Sequence, residues 1–308
     1  MNVLLTGGAG FIGSHIAVLL GKNNCNVVLY DNLSNSTFEV VKKINQLSKH
    51  EIILVEGDIR DLSNLTKTFN SHEIDAVIHL AGKKAVYEST QFPLNYYDNN
   101  VSGTLILLEA MDKCNINNLV FSGSATVYGN PNYLPIDESH PLCPTNPYAN
   151  SKAQIEVILS DLSKSDSNKN FVSLRYFNPI GCHESGLIGE NPIGIPNNLI
   201  PYIAKVALGK IEHLTVFGND FDTKDGTGVR DYIHVMDLAD AHLKALDYSV
   251  HNMSQLDQLE IFNLGTGHGY SVFEVLEAYS KCSNIKIPYE IHKRRDGDIA
   301  ISLADASK

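Results

Sequence analysis

The sequence predicts an α/β protein, a doubly wound parallel sheet followed by a smaller mixed α/β region. Three observations carry this. Short apolar, β-branched runs alternate with helical stretches, a glycine-rich turn joins the first run to the first helix, and the texture changes to Gly, Pro and Asn turns after residue 177. The runs fall at residues 2–6, 26–31, 52–56, 76–80, 118–122 and 171–177, with a late one at 260–264. Their nearly continuous apolar character is that of strands buried on both faces. Between the fifth and sixth runs, Asn146 as a cap and Pro147 at the first helical position predict a helix reaching about residue 162. Beyond 177, turns at 186–189, 192–198 and 219–228 separate helical stretches near 199–208 and 235–248. Two domains are expected, 1–177 with a returning segment near 232–264, and 178–308.

Composition narrows the partners. The 24 Lys and Arg against 35 Asp and Glu leave a net charge of −11, which argues against nucleic acid or an anionic membrane surface. A phosphate-bearing ligand must therefore be held locally, by a few Arg, Lys or backbone N–H groups. The opening segment has no charged leader and its apolar run is too short to span a bilayer, so a cytoplasmic protein is expected. Five scattered cysteines without C-x-x-C spacing suggest neither a disulfide framework nor a zinc site. The 12 histidines form no H-x-H or H-E-x-x-H arrangement, so no metal is expected.

The first turn reads Gly7-Gly8-Ala9-Gly10-Phe11-Ile12-Gly13. Glycines between a strand and a helix permit a tight turn, close backbone approach to a pyrophosphate and close helix–strand packing, with the helix N-terminus offering N–H groups to the anion. Asp31, at the end of the second run, stands 18 residues after Gly13 and suits ribose hydroxyls. Its charge repels a 2′-phosphate and neither Asn32 nor Leu33 offsets it, so the cofactor expected of this Rossmann-type domain is NAD.

Tyr148 and Lys152 are four apart at the start of the helix that Pro147 opens and so share a face. A free phenol is a poor base at neutral pH. Lowering its pKa by about three units takes roughly 4 kcal/mol, which one positive charge at about 4 Å supplies at an effective dielectric of about 20. Lys152 is thus expected to activate Tyr148 nearly alone, with the helix dipole and a nicotinamide cation adding to it. Ser124, just past the fifth run at the sheet's carboxyl edge, is placed to bond a reacting oxygen and relay its proton to Tyr148.

The glycine loop, Ser124 and the Tyr148/Lys152 pair resemble the extended short-chain dehydrogenase/reductase family. The runs Ser124-Ala125-Thr126-Val127-Tyr128-Gly129, Arg175-Tyr176-Phe177-Asn178-Pro179, Gly194-Ile195-Pro196-Asn197-Asn198-Leu199 and Gly228-Val229-Arg230-Asp231-Tyr232 are similar to its UDP-glucose 4-epimerase branch over essentially the whole chain. The resemblance implies that Tyr148 takes the proton of the sugar 4-hydroxyl while NAD accepts the C4 hydride. The 4-keto sugar then turns over and is reduced on its other face. It implies NAD contacts from Gly7, Gly10, Phe11, Ile12, Gly13, Asp31, Asn32, Asn35, Ser36, Asp58, Ile59, Leu80, Ala81, Gly82, Lys84, Asn99, Ser122, Tyr148, Lys152 and Tyr176. The UDP-sugar falls to Ser124, Asn178, Asn198, Leu199, Phe217, Arg230, Arg295, Asp298 and Ser302, with Arg230 and Arg295 on the diphosphate. Asp58 taken by itself reads equally as a loop or cap residue.

Two departures from the family pattern bear on function. Ser302 stands where many members carry a bulky tyrosine beside the sugar 2-position, so UDP-GlcNAc and UDP-GalNAc are expected as substrates beside UDP-glucose and UDP-galactose. The family continues with helical sequence past residues 304–308, so the chain is expected to stop short and to leave apolar surface uncovered. The resemblance also implies a homodimer through the helix near 93–111 and the one bearing Tyr148. Rival readings are a nucleotide-sugar 4,6-dehydratase, a UDP-sugar decarboxylase and an inactive NAD-sensing regulator. The first needs an acid pair beside the serine, which Ala125-Thr126-Val127 lacks, and the second a further basic site that is not evident. The third would have lost the Tyr/Lys pair, which is present.

Overall fold

The computed structural model describes residues 1–194, 196–251, 259–295 and 297–308, so Ile195 and Asp296 lie outside the described residues. The strands in chain order are β1 (Asn2–Thr6), β2 (Asn26–Asp31), β3 (Ile53–Glu56), β4 (Ala76–His79), β5 (Asn118–Ser124), β6 (Asn170–Tyr176), β7 (Asn178–Ile180), β8 (Leu214–Phe217), β9 (Val229–His234), β10 (Glu260–Leu264), β11 (Gly269–Ser271), β12 (Tyr289–His292) and β13 (Ile301–Ser302). The helices are α1 (Phe11–Lys22), α2 (Phe38–Leu47), α3 (Leu62–Ser71), α4 (Val86–Gln91), α5 (Pro93–Tyr96), α6 (Gly103–Lys113), α7 (Pro147–Ser165), α8 (Leu199–Ala207), α9 (Val235–His251) and α10 (Val272–Ser283).

Seven strands form one parallel sheet in the order β3-β2-β1-β4-β5-β6-β10. Alternate residues feed two apolar layers. Val3, Leu5, Val27 and Leu29 pack with Ile16 of α1, Val41 of α2 and Leu238 of α9. Leu4, Val28, Val77 and Leu119 pack with Leu65 of α3, Leu107 of α6 and Ile155 of α7 on the other face. Strand order reverses between β1 and β4, so their carboxyl ends frame the crevice in which such sheets bind ligands.

Strand β5 is longer than its apolar run. Gly123 interrupts the pattern after Ser122, yet it pairs with Arg175, and Ser124 with Tyr176, because a bare backbone fits where a Cβ would meet Ser173 Oγ at 2.8 Å. Similarly, α7 continues past 162 to Ser165 and α9 past 248 to His251. The late strand β10 closes one edge of the main sheet against β6.

The remaining elements form smaller units. In the second sheet β9 pairs antiparallel with β11 and parallel with β7 and β13, while β8 and β12 form a separate parallel pair. Ile203 and Val206 of α8, Val216 of β8 and Leu276 of α10 share a third core.

Candidate active site

The glycine turn is shaped by close approaches that only glycine allows. Gly7 has φ +67°, and a Cβ there would lie 2.8 Å from the backbone N of Ala81; one on Gly13 would lie 2.6 Å from Gly7 O. Gly10 caps α1 without any side-chain hydrogen bond, so the first-turn N–H groups of Phe11, Ile12 and Gly13 meet no side-chain acceptor from the cap. At the end of β2 the Asp31 carboxylate accepts from Ala9 N at 3.0 Å, Leu33 N at 2.9 Å and Ser36 Oγ at 3.4 Å. Burial pushes its pKa up against these bonds. Next to it, Asn32 Nδ2 donates to Asp58 Oδ2 at 3.2 Å, and Asn35 is exposed.

Arg60 is a residue that no sequence motif singles out. It donates to both oxygens of Asp58, at 2.9 and 2.8 Å, and to Asp98 at 2.6 Å, so an arginine does stand near Asn32 but with its charge met by two carboxylates. That pairing holds the Asp58 carboxyl well below the usual carboxylate range. Ile59 is a core residue against Gly103, where a Cβ would lie 2.6 Å from it.

Across the crevice, the N–H groups of Leu80 and Ala81 both donate to Thr6 Oγ1 at 3.2 Å. Asn100 organises the neighbouring loop: its Oδ1 accepts from Lys83 N at 2.8 Å and Asn99 Nδ2 at 3.0 Å, and its Nδ2 donates to Lys83 O and Ser151 Oγ, both at 3.0 Å. The loop carrying Gly82 and Lys84 is thereby tied to α7. His79 bridges Thr6 Oγ1 at 2.7 Å and Thr104 Oγ1 at 2.8 Å. Because Thr104 donates to Asn100 O, His79 carries its proton on Nε2, and burial drops its pKa to about 3. Asn100 lies in the run Tyr96-Tyr97-Asp98-Asn99-Asn100, which is similar to the family's, whereas His79 belongs to no motif and a polar residue within a buried strand was its available signal.

Asn146 Oδ1 accepts from Ala149 N at 3.0 Å and starts α7, which presents Tyr148 and Lys152 toward the end of β5. Lys152 Nζ donates to Ser122 O at 2.7 Å and lies 4.7 Å from the centre of the Phe121 ring. Ser124 Oγ sits 2.8 Å from Thr126 Oγ1 and is near enough to the Tyr148 phenol to favour its ionisation. Burial pushes the Tyr148 phenol up, opposed by the Ser124 side chain, and burial lowers Lys152 itself to about 8. Further positive charge in the crevice adds to that of Lys152 in lowering a phenol. Tyr176, at the end of β6, meets His242 Nε2 at 2.5 Å.

On the far side of the crevice, β9 and β13 place Arg230 directly beside Ser302. Arg230 Nη1 donates to Val229 O at 2.9 Å, burial pulls its guanidinium below the ordinary value, and among the described residues it has no carboxylate within 4.0 Å. Arg295, close enough to repel it, is bidentate to Asp298 at 2.9 and 3.1 Å and stacks 4.9 Å from the Phe217 ring centre. Asn178 opens β7 in register with Tyr232 of β9, and Asn198 and Leu199 open α8. Lys84 and Asn198, expected on different ligands, meet at one carboxylate, that of Glu190.

Residues 4–308 match the family model described as GDP-mannose 4,6 dehydratase. The chain is 52% identical over all its length to a UDP-glucose 4-epimerase of Bacillus subtilis (strain 168), covering 90% of that protein. It superposes on UDP-glucose 4-epimerase from Bifidobacterium longum in complex with NAD+ and UDP with a TM-score of 0.95 and 49% identity, covering 100% of this chain and 91% of that one. The UDP-Glc/GlcNAc 4-epimerase of Campylobacter jejuni gives a TM-score of 0.83 at 37% identity, with 99% and 91% coverage. With the dehydratase acid missing at 125–127 and the Ser124, Tyr148 and Lys152 group assembled at the sheet's edge, the chain belongs to the UDP-glucose 4-epimerase family of extended short-chain dehydrogenases/reductases.

Proposed function

We propose that this protein interconverts UDP-glucose and UDP-galactose by inverting C4, with NAD retained through the cycle. The observation that carries it is that α7 brings Tyr148 and Lys152 together with Ser124 at the carboxyl end of β5, Lys152 Nζ donating to Ser122 O at 2.7 Å. The residues present fit NAD: the turn has no room for a Cβ at Gly7 or Gly13, α1 is uncapped by a side chain, and Asp31 is oriented by backbone N–H groups. When bound, NAD accepts a hydride from sugar C4 and gives it back to the opposite face. The Tyr148 Oη receives the proton of the sugar 4-hydroxyl, with Ser124 as relay, and returns it in the second half. Lys152 supplies positive charge beside the phenol. Arg230 and Arg295 hold the diphosphate, leaving the hexose free to turn about its link to it. Residues 1–177 with the 232–264 return serve NAD, and 178–308 serve the UDP-sugar. Adding UDP-glucose to the purified protein should raise the absorbance band of reduced nicotinamide, and Tyr148→Phe should suppress the rise; an unchanged spectrum in the wild type refutes the reading.

Ser302, 8% exposed and opposite Arg230, supports a pocket that also takes N-acetylated sugars. Wild type should then turn over UDP-GlcNAc and Ser302→Tyr should lose that activity while keeping UDP-glucose; no wild-type turnover of UDP-GlcNAc ends the idea. Exposed apolar side chains on α5, α6 and α7, namely Leu94 (80%), Leu105 (47%) and Val157 (58%), support a homodimer through these helices, to be weighed by light scattering. No helix among the described residues is long and apolar enough to cross a membrane. The free cysteines Cys25, Cys114, Cys143, Cys182 and Cys282 favour the reducing cytoplasm.

A further inference from the structure

The segment between β7 and α8 starts and ends in the substrate half but lies on the cofactor half in between. His183 is buried with Nε2 3.4 Å from Lys22 Nζ, and Ile188 enters the core that holds Ile16 and Leu238. Two residues later comes Glu190, whose carboxylate is only 9% exposed and whose Oε1 accepts from Lys84 Nζ at 3.1 Å and from Asn198 Nδ2 at 2.6 Å. A carboxylate can only accept, so it fixes which end of the Asn198 amide faces it: Nδ2 inward, Oδ1 turned away as a free acceptor. A donor on the ligand, such as a sugar hydroxyl or the uracil imide N–H, is matched by that acceptor and would be mismatched by a flipped amide. Lys84 neutralises Glu190, so the carboxylate stands near an anionic substrate without net repulsion.

We propose that Glu190 is a positioning residue for UDP-sugar binding, a strut from the cofactor half that sets the Asn198 amide for a hydrogen-bond donor of the ligand. This rests on the proposed epimerase reading and on the contacts that the family resemblance implies, Asn198 with the UDP-sugar and Lys84 with NAD. The test is a cycle of Glu190→Gln, Asn198→Ala and both together, with KM and kcat for UDP-glucose, bound NAD and Tm measured for each. Glutamine keeps the shape but can donate, so it allows the Asn198 amide to flip. Glu190→Gln is expected to raise KM about tenfold and to leave kcat within about threefold, with NAD content unchanged. In the Asn198→Ala background the same change should be silent. Asn198 caps α8 without a side-chain bond, so its alanine variant should fold normally. If Glu190→Gln lowers Tm, Glu190→Asp, which keeps the charge but loses the reach, should give the same KM pattern. An unchanged or lowered KM in Glu190→Gln, a KM effect that persists without Asn198, or a joint loss of NAD and kcat overturns the proposal. If Asn198→Ala alone leaves KM unchanged, the substrate role of Asn198 falls, and the positioning role with it.

Discussion

The two sides of the crevice hold their ligands by different means. The cofactor side is made of backbone: glycines that admit no side chain, an uncapped helix start, and an Asp31 carboxylate held by N–H groups. Its arginines are already matched, Arg60 by Asp58 and Asp98 and Arg175 by a bidentate Glu156 at 2.7–3.2 Å. The substrate side is made of side chains from short strands, and its half-buried Arg230 has no carboxylate partner among the described residues. A desolvated cation is costly unless something anionic meets it. On the cofactor side the paired arginines are scaffold, whereas Arg230, with no carboxylate within 4.0 Å among the described residues, is left to meet the diphosphate in the reading proposed above.

Four experiments break or sharpen this contrast. Between the two sides stands Tyr148, and Tyr148→Phe should lower kcat about a thousandfold while NAD content and Tm stay near wild type, since only the proton acceptor is removed. Arg230→Met should raise the KM for UDP-glucose about a hundredfold, whereas Arg60→Met, which removes a surface ion pair, should change it less than about threefold. Equal effects from the two arginines would erase the distinction.

Gly7→Ala and Gly186→Ala share a positive φ, of +67° and +69°, and each should cost about 1–2 kcal/mol in urea unfolding. Only Gly7 meets backbone, at 2.8 Å, while a Cβ at Gly186 meets nothing within 4 Å. Gly7→Ala alone should therefore also lose bound NAD. The smallest effect is on pH. Among the buried histidines of the cofactor half, His79 has its pKa lowered to about 3 and His242 to about 4, from an ordinary 6.5. Below 6.5 the unfolded chain binds protons that the folded one refuses, so stability falls as the pH drops toward those values. Each histidine should remove about 1 kcal/mol between about pH 6.5 and 5.5, and a flat urea profile over that range would count against their neutral burial.

The cofactor half was readable in the sequence because its determinants are local. Gly7 to Gly13 sit between a strand and a helix whose apolar periods are plain, and Asn146-Pro147 announces α7. Strand ends were missed where a glycine substituted for apolar character, as at Gly123 in β5. The substrate side was readable only as a resemblance. Arg230 meets Ser302 through a pairing of strands some seventy residues apart, and no local pattern reports that. Four residues of spacing place Lys152 on one face with Tyr148, but Ser122 O and the Phe121 ring, which position its ammonium, arrive from another element that no local pattern reports.

In the function proposed above, Tyr148 drives a redox-neutral inversion of a UDP-sugar held by Arg230. This is tested most directly by incubating purified protein with UDP-glucose and, separately, with UDP-galactose, and identifying the products for wild type and Tyr148→Phe. The account predicts the same equilibrium mixture of the two sugars from either side for wild type, and almost none of the second sugar for the variant. A dehydrated 4-keto product, no conversion by wild type, or full conversion by Tyr148→Phe would contradict it.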